Sequence, residues 1–245
     1  MGEALGIQVW CEDEAGPYQT VPYAGASWQP VACPREQPHE YVRNGTAKLL
    51  TLFHPATGQV RVKGVTSTTN TVIHTWLKDQ LTDILRALPV LTDPQPVDPA
   101  TWERWRADVR TKATLPSVLP PLRLLLVLDN LVGHHTPAWL CWCFAHGILP
   151  IFTPLGGSWL NMAESVQRLL KRRALDGQYY SSPQAIIHAL EAVANHWNQH
   201  PTPFIWSGER RERRRTATLP TYSLPASGAS AARSVRAFYA TLRPT

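Results

Sequence analysis

The chain has 245 residues, of which 44% are hydrophobic and 17% charged. That is enough to bury a core and too little charge for a disordered polyelectrolyte. No apolar run approaches the ~18 residues of a membrane-spanning helix, and the longest, such as Leu124–Leu128, are strand-sized. The N-terminus shows no basic segment followed by an apolar one, so no signal peptide is expected. Four cysteines, none in a C-x-x-C pair, exclude a disulfide scaffold and a zinc ribbon and fit a cytosolic chain with reduced thiols. The net charge of +6 is unevenly placed. Residues 1–206 hold 16 Lys/Arg against 16 Asp/Glu, whereas 207–245 hold 8 Arg against 2 Glu. A neutral body with a basic tail points to a polyanion partner.

In chain order, Ile7–Asp13 reads as a strand that runs into the acidic cluster Glu12-Asp13-Glu14. Residues 16–45, rich in Pro and Gly, read as irregular. Ala47–His54 and Gln59–Val65, separated by Pro55-Ala56-Thr57-Gly58, form a hairpin pattern. From Thr69-Asn70 to about Leu88, apolar residues recur at helical spacing. Pro89–Pro121 carries seven prolines and a short helical pattern around Trp102–Val109, and reads as an insertion or lid. Leu122–Asp129 has the continuous apolar pattern of a central strand buried on both faces. Pro137 opens a helix to about His146, and Leu149–Thr153 is a further short strand. Ser158 is placed to cap a helix from Trp159 to about Arg173, and Ser182-Pro183 opens a last helix to about His200. The order implies a mixed sheet with helices on its faces. Residues 207–245, with five arginines between Arg210 and Arg215, are expected to form a disordered tail.

Three acids stand out by position. Asp13 and Asp129 end strands, and a carboxylate at the C-terminal end of a buried strand lies where α/β sheets place their sites. Glu164 lies in the second turn of the helix expected after Ser158, on a face with Arg168, and Lys171, Arg172 and Arg173 continue as a basic run. Two divalent cations acting on a phosphodiester need hard anionic oxygens, and three converging carboxylates supply them. Taken singly, Asp129 also suits a turn residue before Asn130, and Glu164 an exposed partner of Arg168. His134-His135 follows Asp129, but adjacent histidines on a turn diverge, so a His-His zinc site is the weaker choice.

The block Leu128-Asp129-Asn130-Leu131-x-x-His134-His135-Thr136-Pro137, followed by Phe152-Thr153-Pro154-x-x-x-Ser158-Trp159-Leu160-Asn161-x-x-Glu164, resembles the catalytic half of a DDE transposase. The similar branch is the bacterial insertion-sequence (IS-six-thirty type) group of the mariner-like superfamily, marked by the 34 residues between Asp129 and Glu164. Trp10-Cys11-Glu12-Asp13-Glu14 resembles that family's first acidic motif, and His196-Trp197-Asn198-x-x-Pro201 its closing segment. The first acid is the less specific match, because Glu12 and Glu14 flank Asp13.

The resemblance implies an α/β, ribonuclease-H-like mixed sheet flanked by helices over residues 1–206. It implies Mg²⁺-dependent cleavage of transposon ends and strand transfer into target DNA, typically at TA dinucleotides, with two ions for which Mn²⁺ substitutes. By the same resemblance Asp13 bridges both metals, and Asp129 and Glu164 hold one each. Asn130, His134, Ser158, Trp159, Asn161, Arg168, Lys171, Arg172 and Arg173 are the expected DNA-facing residues. Double-stranded DNA is the implied partner, in the bacterial cytoplasm at the nucleoid and with no membrane, and a homodimer is compatible with it. Two features depart from the family. The chain starts at the first catalytic strand, so helix-turn-helix modules are expected to be absent or separately encoded, and Pro89–Pro121 is long. Two other readings stay open: a silent remnant that only binds DNA, and a nuclease without strand transfer.

Overall fold

The computed structural model describes residues 6–25, 31–33, 36, 38–90, 99–105, 111, 119–157 and 160–204. Five strands, β1 (Gln8–Gln19), β2 (Thr46–His54), β3 (Gln59–Val65), β4 (Leu124–Leu128) and β5 (Ile148–Phe152), form one sheet in the order β3-β2-β1-β4-β5. β1, β2 and β3 are antiparallel neighbours, and β4 and β5 continue the sheet parallel to β1. Five α-helices accompany it: α1 (Asn70–Ala87), α2 (Pro99–Trp105), α3 (Pro137–Ala145), α4 (Met162–Leu175) and α5 (Pro183–Gln199). This is the mixed sheet flanked by helices expected of a ribonuclease-H-like α/β fold.

Strand alternation divides the core into two layers. Trp10, Leu50, Leu52, Leu124, Leu126 and Leu128 face α1, α2 and α3, where Ile73, Leu77, Trp102, Trp139 and Phe144 complete one cluster. Cys11, Leu49, Phe53 and Val60 face α4 and α5 and meet Val166, Leu170, Ile186 and Leu190 in a second. β4 is more asymmetric than a strand sealed on both faces. Its three even-numbered leucines are fully buried, while Leu125 and Val127 are half-buried.

Three sequence expectations are corrected here. β1 does not stop at Asp13 but runs on to Gln19, through a register shift between Ala15 and Tyr18. Gly16 permits it: its φ is +121°, and a Cβ there would lie 3.0 Å from the Ala47 carbonyl. The Pro-rich stretch is not simply a lid. Trp102 is fully buried in the first cluster, edge-on to Phe144 at 5.5 Å, and Leu119 packs there too, because a large indole gains more by burial than by exposure. α4 starts at Met162 rather than Trp159, with Asn161 as its cap accepting from the Ala163 N–H, which moves Glu164 into the first turn. Ser158 and Trp159 lie outside the described residues, as do 205–245.

The outer strands of the sheet are β3 and β5; α5 covers β3 through Asn198 and Glu191, and Pro150 occupies the middle of β5. Among the described residues no helix is long and apolar enough to cross a membrane.

Candidate metal centre

The parallel register of β1 and β4 pairs Cys11 with Val127. Two residues further on, it sets Asp13 level with Asp129, just beyond the end of β4. Alternation along β1 sends Glu12 and Glu14 to the face of Trp10, and Asp13 to the α4 face with Cys11. One carboxylate oxygen each of Asp13, Glu14 and Asp129 lies within 4.8 Å of the others. This donor set is hard, anionic and partly exposed, and it suits a hard divalent cation.

The electrostatics support that fit. Burial, then the charges of Asp129 and Glu14, hold the Asp13 carboxyl up at about 7, against the bond it accepts from the Glu14 N–H at 3.0 Å. Glu164 adds a smaller push in the same direction. A bound cation would remove this repulsion. Glu164 lies on α4, is one-third exposed, and pairs with Arg168 at 2.6 Å. It stands outside the group of oxygens within 4.8 Å.

On the other face, a one-turn 3₁₀ helix, Val132–His135, follows Asp129. Its His134 is fully buried and faces three carboxylates. Nδ1 is 3.1 Å from Asp129 Oδ1, and Nε2 is 3.1 Å from Glu12 and 3.4 Å from Glu14. Burial alone would favour the neutral ring. The charge of Glu12, with Asp129 and Glu14 beside it, overrides that and raises the pKa to about 11. In turn the hydrogen bond from His134 holds Asp129 below the usual carboxylate range. Glu12 is fully buried, and burial pushes its carboxyl well above the ordinary value despite His134. The 3₁₀ turn is seated against α1. His74 Nε2 lies 3.1 Å from the Gly133 carbonyl, and a Cβ on Gly133 would fall 2.5 Å from Asn70 Oδ1. The two histidines diverge, and His135 stacks on Phe152 at 4.1 Å.

The expected DNA-facing residues are treated unevenly. His134 and Asn161 are both buried. Asn161 spends its side chain on the Glu12 carbonyl and the Ala163 N–H. Asn130 donates to the Thr153 carbonyl at 2.6 Å and ties the ends of β4 and β5 together. Lys171 lies 3.7 Å from Asp176 and over the Tyr23 ring, and Arg173 lies over Trp197. Arg168 and Arg172 are exposed. The sequence left open which of Glu12, Asp13 and Glu14 is the first metal ligand, and did not place Glu12 and Glu14 together on one side of the cluster. Their i, i+2 spacing on a strand was the available signal.

A carboxylate cluster where the end of β4 meets the interior of β1 in a mixed α/β sheet defines the class: a candidate acid-site metal protein. Residues 8–187 match the family described as DDE superfamily endonuclease, and the chain belongs to that family, whose enzymes use divalent metal. No curated protein sequence matches significantly. Among solved structures, the chain is similar to the Mos1 transposase paired-end complex with left transposon end, at 13% identity and a TM-score of 0.48, covering 80% of this chain and 49% of that one. It is similar to the catalytic core domain of BIV integrase at 12% identity and 0.41, covering 80% and 86%. A pre-cleavage Mos1 transpososome matches at 11% identity and 0.45, covering 80% and 56%. The chain thus spans about half the length of the Mos1 chain.

Proposed function

We propose that this chain is the catalytic part of a transposase that cleaves transposon-end DNA and transfers the strand into a target, in the insertion-sequence branch of the mariner-like superfamily. The observation that carries the reading is the convergence of Asp13, Glu14 and Asp129 within 4.8 Å in a chain of the DDE endonuclease family. Asp13 and Asp129 would hold Mg²⁺, with Glu164 reaching in from α4 and Mn²⁺ substituting. When bound, such ions supply a nucleophile at neutral pH and stabilise the leaving oxygen at phosphorus. The protein's own part is to hold Asp13 and Asp129 at one level of the sheet. It also offers exposed cations, Arg168 and Arg172, to phosphate beside the site. Double-stranded DNA is the proposed partner, met at the bacterial nucleoid, with two copies acting on two ends. The tail after Trp206 adds phosphate contacts that carry little sequence information.

The test is nicking of supercoiled DNA and joining of a 3′-hydroxyl oligonucleotide, in Mg²⁺, Mn²⁺ or EDTA. Metal-dependent nicking and joining, both lost in Asp129→Asn, is the expected result. Nicking without joining reduces the protein to a nuclease. Equal cleavage by Asp129→Asn removes the metal assignment.

A further inference from the structure

Of the five acids around the site, Glu12, Asp13, Glu14, Asp129 and Glu164, Glu12 is the one the proposed chemistry does not use. It is fully buried, and neither of its oxygens accepts a hydrogen bond. A buried carboxylate without hydrogen bonds is costly unless something compensates it. What faces it is His134, equally buried, at 3.1 Å. The opposite ring nitrogen meets Asp129 Oδ1 at 3.1 Å, and that same oxygen also accepts the Leu131 N–H at 2.9 Å. Both bonds therefore fall on Oδ1, and among the described residues Oδ2 accepts none. One imidazole spans from the middle of β1 to the acid beyond the end of β4.

We propose that His134, backed by Glu12, is a positioning residue: it pins Oδ1 of Asp129 so that Oδ2 is the oxygen offered to a cation beside Asp13 and Glu14. The inference rests on the reading above in naming Asp129 a metal ligand. It separates three consecutive acids by role. Glu12 anchors the histidine, whereas Asp13 and Glu14 face the ion. Partners that orient a metal ligand from behind typically contribute ~10–100-fold to metal affinity. Because Glu12 and His134 are sealed, their contribution is made inside the protein and requires no contact with DNA.

Side-chain length provides the test. In place of His134, Asn reaches about as far as Nδ1 and keeps a donor for Asp129. Gln reaches about as far as Nε2 and loses that donor. In the full chain, Glu12→Gln/His134→Asn and Glu12→Gln/His134→Gln remove the same buried charges, and melting in EDTA shows whether both are folded. Mn²⁺ binding, read from the electron paramagnetic resonance of the free ion, should stay within a few-fold of wild type in the first. It should weaken by roughly 10–100-fold in the second. Equal affinities in the two would overturn the inference. If Glu12→Gln abolishes Mn²⁺ binding while Asp129→Asn does not, the ion sits among Glu12, Glu14 and His134, which also overturns it. Unchanged affinity in both Asp129→Asn and Asp13→Asn overturns the underlying metal reading instead. Imidazole ¹⁵N resonances of the wild-type protein give a measurement that needs no variant to fold. Mg²⁺ should shift the Nδ1 signal of His134 and leave those of His188 and His196 in place, and an unmoved His134 signal refutes the pinning.

Discussion

The two faces of β1 treat neighbouring acids in opposite ways. Towards α1 and α3, Glu12 meets a buried histidine and its negative charge is answered within the fold, while Glu14 lies between that histidine and the ion-facing group. Towards α4, burial first, then the charges of Asp129 and Glu14 and, more weakly, Glu164, push the Asp13 carboxyl up to about 7. One face is closed and compensated. The other is partly exposed and short of positive charge. A single strand produces both because its side chains alternate. An acid's role here is set by the side of the sheet it reaches, and residue type alone does not decide it.

Removing the open face's charge should have the largest effect. Asp129→Asn should weaken Mg²⁺ and Mn²⁺ binding more than the ~100-fold typical of an outer partner, as read by calorimetry. DNA affinity should be unchanged or higher, because an anion near phosphate is lost. Next, saturating Mg²⁺ at about 100 times its Kd should add ~2.7 kcal/mol. That is a rise in Tm of roughly 5–10 °C for a chain of this size. An unchanged Tm would mean that the open face is not a cation site.

The pH dependence of the metal-free protein separates the faces. Asp13 has a folded pKa raised from 3.8 to about 7, so its contribution to stability is full below 3.8 and is lost as pH rises through 7. His134 is raised from 6.5 to about 11, so its contribution is full below 6.5 and is lost as pH rises through 11. Tm in EDTA should therefore fall steadily from pH 5 to pH 9. Mg²⁺ should flatten the part below pH 7, where Asp13 titrates, and act less on the part above it. A Tm that rises over this range would contradict both assignments. The smallest effect belongs to the rim. Arg168→Ala removes an exposed i,i+4 pair worth about 0.3–0.5 kcal/mol. Tm should move by no more than ~2 °C, while DNA affinity falls alike for all sequences in a binding titration.

Much of the frame was legible in the sequence. The hairpin, the long amphipathic α1, the apolar β4 and the Ser182-Pro183 start of α5 each carry a local signal in periodicity or capping. Asp13 and Asp129 were found as well: Asp129 because an acid just after an apolar strand is visible in one dimension, Asp13 by its place in an acidic cluster, although β1 runs on past it. What was not legible depended on contacts distant in the chain. The seat of His134 needs His74, 59 residues earlier, to meet the Gly133 carbonyl. Nothing in either local pattern announces that pairing. The Pro-rich stretch misled for a related reason. Its composition is that of a loop, yet the burial of Trp102 is decided by the space beside Phe144. At α4 the sequence pointed to Ser158 as the cap, whereas Asn161 takes that place and is held by a further bond to the Glu12 carbonyl.

Pro150 gives the sheet a social consequence. Thr153 donates its N–H inward to the Leu128 carbonyl, so alternation along β5 turns the Pro150 nitrogen to the open side. At that position the margin has no hydrogen to give to an incoming strand. At the opposite margin, β3, the outward N–H groups of Val60 and Gly64 are already given to Asn198 and Glu191 of α5. Both borders are thus closed to strand-by-strand growth. Copies of this protein brought together on one nucleic acid would have to meet through helices and loops, which leaves the five-stranded sheet intact as a unit within any assembly they build.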